Sequence, residues 1–129
     1  MVPDTGQGLA RGLYAAAVDG KGGERFELAP DVAVNLAAAC DKLVEDLEAA
    51  LAAGELASTV TGFPQLPTGR ALSAGFADKG SQLRATVAAF QETALLFKAA
   101  YLAAGQRLAE AEAAHRDALL AVADYLDQR

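Results

Sequence analysis

The sequence predicts an all-α protein, an antiparallel helical hairpin with a long second helix that becomes four-helix-bundle-like on association. Three observations carry this. Apolar residues recur every three or four positions over two long stretches, the spacing that places them on one helical face. Proline and glycine gather between those stretches at residues 58–69 and near the N-terminus, where they end helices. The composition is 53% apolar yet only 6% aromatic, with alanine supplying much of the apolar share, which suits closely packed helices better than a broad globular core.

In chain order, residues 1–29 read as a flexible N-terminal segment that includes a short helix around Leu9 to Val18. Gly20, Gly22 and Gly23 end that helix, and Phe26 and Leu28 alternate with polar residues as an extended approach to Pro30. Proline suits the first helical position, and Asp31 then faces the helix dipole. The hairpin occupies residues 30–129. Its first helix spans about 31–54, with Val32, Leu36, Cys40, Leu43, Leu47 and Leu51 as its stripe and Lys42, Glu45, Asp46 and Glu48 on a solvated face. Residues 58–69, carrying Gly62, Pro64, Pro67 and Gly69, form the turn.

The second helix is expected over about 70–127. Leu83, Val87, Phe90, Ala94, Phe97, Tyr101, Ala104, Leu108, Ala111, His115, Ala118, Val122 and Tyr125 follow one another in alternating steps of four and three. Such a helix would be on the order of 80 Å long at about 1.5 Å per residue. The first helix covers it only to about Phe97. The remainder is expected to be covered by the short N-terminal helix, by a bend near Gly105, or by another chain. Another chain is favoured, since ten residues are too few for the task. The expected interface is Phe97, Tyr101, Ala104, Leu108, Ala111, His115, Leu119, Val122 and Leu126.

Composition also excludes some functions. A net charge of −6 opposes binding to nucleic acid or an anionic membrane, and no apolar run reaches the length of a membrane span. Cys40 is the only cysteine, so no disulfide can form within the chain. Catalytic and metal signals are weak. Gly6-Gln7-Gly8 lacks the strand that a phosphate-binding turn needs, His115 is the only histidine, and Ser73 and Ser81 have no adjacent base. The expectation is a non-enzymatic protein with no cofactor and no metal, in which His115 is a half-buried seam residue or a pH-sensitive contact.

The Leu28-Ala29-Pro30-Asp31 approach, the Ala-rich run from Leu36 to Leu43, Gly62-Phe63 in the turn, Leu72 to Phe76, and Tyr101-Leu-Ala-Ala-Gly105 together resemble a known family. They look like the WXG-type helical hairpins of ESX (type VII) secretion in actinobacteria, as a divergent member without the tryptophan. The likeness covers residues 26–112. Gly62 and Phe63 stand where the family's W-x-G turn would be. The family's export signal, a Tyr followed four residues later by an acid, is degenerate here, with Leu108 in place of the Tyr ahead of Glu112. The resemblance implies a helical partner protein that forms a homo-oligomer or a heterodimer with another hairpin, co-exported by a route that needs no signal peptide. The alternatives are a cytoplasmic adaptor or chaperone for a toxin or secreted substrate, and a structural coiled-coil protein.

Overall fold

A computed structural model of the chain describes residues 4–19, 25–58 and 67–127, and every regular element among them is helical. The helices are α1 (Gln7–Asp19), α2 (Pro30–Ser58), α3 (Pro67–Ala104) and α4 (Leu108–Asp127). The all-α class is as the sequence predicts. The expected turn at residues 58–69, with Gly62 and Phe63, lies almost wholly outside the described residues, which resume at Pro67.

One expectation is overturned. The helix predicted over about 70–127 is two helices, and the reason lies in residues 104–107. The Gln106 N–H bonds the Ala103 carbonyl and the Arg107 N–H bonds the Leu102 carbonyl, with Gln106 in the left-handed region at φ 66°. This is a Schellman stop. It places a glutamine where glycine is usual, at a cost of about 1 kcal/mol. Gly105, one residue earlier, is needed for a different reason. A Cβ there would sit 2.4 Å from the Ala33 Cβ and 3.6 Å from the Pro30 Cα, so only glycine lets α2 start against the end of α3. α4 then opens with the Arg107 carbonyl accepting from the Ala111 N–H, while the Arg107 guanidinium grips Glu110 at 2.6 and 2.8 Å.

The short extended segment 25–29 ties two helix ends together. The Phe26 N–H donates to the Ala16 carbonyl of α1, and the Leu28 N–H donates to the Ala104 carbonyl of α3. Both carbonyls belong to helix C-termini that would otherwise lack partners.

α3 is the axis of the molecule. α1, α2 and α4 each pack against it, and among the described residues none of those three packs backbone to backbone against another. α2 runs opposite to α3. Lys98 pairs with Asp41, Gln91 bonds Glu48, and Gly105 abuts Ala33, so α2 numbers fall as α3 numbers rise. α4 also runs opposite, since Ala118 joins the cluster of Leu95 and Leu96 while Ala111 and Ala114 join that of Leu102 and Ala103. α1 runs parallel to α3, from Thr5 beside Ala89 and Thr93 to Ala17 beside Leu102.

Alanine makes this three-sided packing possible. Ala10 and Ala17 of α1, Ala33 and Ala37 of α2, and Ala111, Ala114 and Ala118 of α4 are all buried against an equally Ala-rich α3. Small side chains let helix axes approach closely, so dispersion contacts replace bulky anchors. Among the described residues Leu96 is the largest side chain that is fully buried. Part of the cover expected from another chain is thus supplied within the chain by the fold-back of α4, with α1 alongside, which buries Leu102, Ala104, Ala111, Ala114 and Ala118.

Candidate interaction surface

Because α2 and α4 both lie on α3 without backbone contact among the described residues, a groove of about 290 Å³ remains between them. Its floor is α3, with Arg84, Ala88, Gln91 and Leu95. One wall is Val44, Glu48 and Leu51 of α2, and the other is Asp117, Leu120 and Ala121 of α4. Leu120 stands on the lip, 58% exposed, and Leu119 beside it is 55% exposed.

Polar residues hold the groove and its neighbours in place. Gln91, Glu92 and Thr93 are consecutive and all buried, yet each has a partner on another segment. Gln91 Nε2 donates to Glu48 Oε1 at 2.7 Å and so pins that carboxylate to the α2 wall. Glu92 meets Arg11 of α1 at 3.6 Å. The Thr93 hydroxyl donates to the Ala89 carbonyl and lies 2.8 Å from the Thr5 hydroxyl, which reaches the same carbonyl. Buried polar groups left unpaired are costly, so these contacts fix which neighbour sits on which side of α3. Arg84 and Asp117 differ, for neither has an ion-pair partner among the described residues.

The expected interface residues are spread over three settings. Ala104 and Ala111 are buried inside the chain, because α4 folds back onto α3 at this point and closes over them. Phe97, Tyr101, His115 and Val122 are half-buried. Tyr101 stacks on Phe97 with ring centroids 6.0 Å apart and meets Phe26 edge-on at 6.4 Å. His115 lies against Tyr14 of α1 at 5.0 Å, a contact within the chain. Leu108 and Leu119 are exposed, as is Glu112 of the degenerate export signal. The side chain of Leu126 lies outside the described residues.

Titratable groups near the core answer to burial. Cys40 is buried, and desolvation, aided by Asp41 and offset by Lys98, pushes its thiol from an ordinary 9.0 to about 11. The Tyr101 phenol is raised by burial and then by Cys40, and Tyr14 by burial and then by Glu112 and Asp19. A thiol held protonated is a poor nucleophile.

Among the described residues no three His, Cys, Asp or Glu side chains are grouped to hold a metal, and no helix is long and apolar enough to cross a membrane. What the surface offers is a slot between helices with a mixed polar and apolar lining and a charge near each end. Sequence reading placed Leu51 on a stripe but passed over Arg84 and Gln91. The available signal was the polar run Gln91-Glu92-Thr93 set within the apolar run from Val87 to Phe97. No family model, no curated protein and no solved structure matches this chain.

Proposed function

We propose that the protein is a non-enzymatic helical partner protein that takes up a helix of another chain in the groove between α2 and α4. The observation that carries this reading is the groove itself, a helix-lined slot with exposed Leu120 on its lip and two charges that have no ion-pair partner among the described residues. Apolar grooves between helices receive amphipathic helices through anchors spaced three, four and seven residues apart. The resemblance to WXG-type hairpins supports an ESX (type VII) secretion setting, in which the client would be a co-exported helical substrate. In that setting the hairpin formed by α2 and α3 is the family-like unit, and α1 and α4 are additions.

A second reading, the cytoplasmic adaptor or chaperone, draws support from the fold-back of α4. The chain buries an Ala-rich core of its own, as suits an escort that later releases its cargo.

A tagged pull-down from the native host, on both lysate and culture medium, tests the two together. Leu120→Asp is run in parallel, since it places a charge on the lip without touching the core. Capture of a helical protein by the wild type, lost in the variant, is the expected result. Recovery of that complex from the medium favours co-export, and its confinement to lysate favours the adaptor. Capture that ignores the Leu120 change would overturn the groove reading.

A further inference from the structure

The groove is open in the isolated chain, and its two charges indicate which helix fills it. Resting on the helix-binding reading above, we propose that the occupant is α4 of a second copy, docked about a two-fold axis so that Arg84 of each copy meets Asp117 of the other.

The argument starts from register. Asp117 adjoins Ala118, which packs beside Leu95 and Leu96. Arg84 lies eleven residues before Leu95 on α3, about 16 Å along the axis at 1.5 Å per residue. The cation and the anion therefore stand toward opposite ends of one groove, too far apart to neutralise each other. Glu48, the third charged residue of the lining, is already held by Gln91. A two-fold axis across the middle of such a groove exchanges its ends, so each open charge of one copy faces its opposite on the other. A foreign helix would have to carry an acid and a base at the matching separation and in the matching direction, whereas this chain meets both demands by symmetry. Leu120 and Ala121 lie on the same wall beyond Asp117, where α4 returns toward the level of Arg84. The exposed Leu120 is thus presented to Ala88 and Leu95 on the floor of the partner copy. The chain as a whole carries −6 and repels its own copies at long range, so association depends on these local opposite charges.

Charge reversal with a swap tests this on the full chain. Sedimentation equilibrium of the wild type at roughly 50 µM is expected to show a dimer, the range in which a modest interface associates. Arg84→Glu and Asp117→Arg should each weaken dimerisation by about tenfold or more, because each places like charges together at both ends. The double variant restores the pairing with its sense reversed and should return to within about threefold of wild type. Circular dichroism checks that each variant folds, and Arg84→Gln with Asp117→Asn provide a milder pair if a reversal does not. A wild type that is monomeric throughout, single variants that dimerise normally, or a double variant no better than the singles would each overturn the proposal. A monomer that still captures a helical client through Leu120 would overturn only the choice of occupant. A monomer that captures nothing would overturn the helix-binding reading as well.

Discussion

The two halves of α3 lead different lives. From Val87 to Ala104 nearly every residue is buried or half-buried, with α1, α2 and α4 on three sides. Before Val87 the same helix runs on past both α1 and α4. Thr5 brings the α1 end in at the level of Ala89 and Thr93, and the nine residues of α4 after Ala118 carry it only about 13 Å beyond Leu95. Among the described helices only α2 reaches back along the N-terminal half. By the register of Lys98 with Asp41 and Gln91 with Glu48, the α2 end at Ser58 falls near Ser81, where Lys79, Ser81 and Gln82 are exposed. Composition explains the contrast. The later half is mainly alanine and leucine around one polar run, so three helices can approach it closely. The earlier half carries Arg70, Asp78, Lys79, Ser81, Gln82 and Arg84, and could not be wrapped on three sides without burying charge. The groove between α2 and α4 straddles this change, with Ala88, Gln91 and Leu95 of its floor in the wrapped half and Arg84 just beyond it.

The largest expected effect tests the wrapped half directly. Leu96→Ala removes the largest fully buried side chain from a site that tight alanine packing cannot refill, and should cost about 2–5 kcal/mol. Leu83→Ala, at a half-buried position of the two-helix region, should cost at least about 1 kcal/mol less. Urea denaturation of both measures this. Equal losses would mean that the two halves are equally well packed and would remove the contrast.

The next effect concerns the fold-back that creates the wrapped half. Gly105→Ala drives a Cβ into Ala33, and since neither methyl can move aside the backbone must shift, at about 1–3 kcal/mol. Ala33→Gly in the same chain clears the contact. The double variant should therefore be more stable than the sum of the two single losses predicts, with a coupling above about 0.5 kcal/mol. Additive losses would mean that the α2–α3 contact at Gly105 is not what requires the glycine.

This turn also marks where the sequence could be read and where it could not. The helical class, the start of α2 at Pro30 and the Ala-rich character of the contacts were legible, because period and proline chemistry are local. A bend near Gly105 was one of three readings left open, but the full stop at residues 105–107 was not legible, for two reasons. Apolar steps of four and three continue through Tyr101, Ala104, Leu108 and Ala111 as though nothing intervened, since a three-residue turn preserves the count. The left-handed residue is a glutamine, which carries no stop signal, while the visible glycine serves close approach. The open groove could not be read either, because it arises from what α2 and α4 leave between them and not from any stripe on one helix. Even so, the polar run at Gln91 to Thr93 was visible in the sequence and is what orders the neighbours around α3.

A smaller effect isolates that ordering. Thr93→Val keeps the shape but removes the hydroxyl shared with Thr5, and should cost about 1 kcal/mol. The loss should fall on α1, whose amides near Ala10 would exchange with deuterium faster while those of α4 stay unchanged. Uniform acceleration across α1, α2 and α4 would show that the three neighbours open together.

Cys40 supplies the smallest and most local probe, since it sits on α2 beside Asp41 and Lys98, within the wrapped half. Its thiol titrates near 9.0 when unfolded and near 11 when folded, because burial disfavours the thiolate. The folded state therefore holds its proton more tightly. The associated stability is fully present below pH 9 and is lost as pH rises toward 11. Cys40→Ala should flatten the decline in stability over that window relative to wild type, against a background from lysines and tyrosines that both proteins share. At pH 8 the native thiol should react with iodoacetamide far more slowly than the same thiol in urea, because modification must wait for α2 to part from α3. A native rate equal to the unfolded one would mean that the wrapped half opens freely at Cys40, and the distinction between the two halves of α3 would not extend to α2.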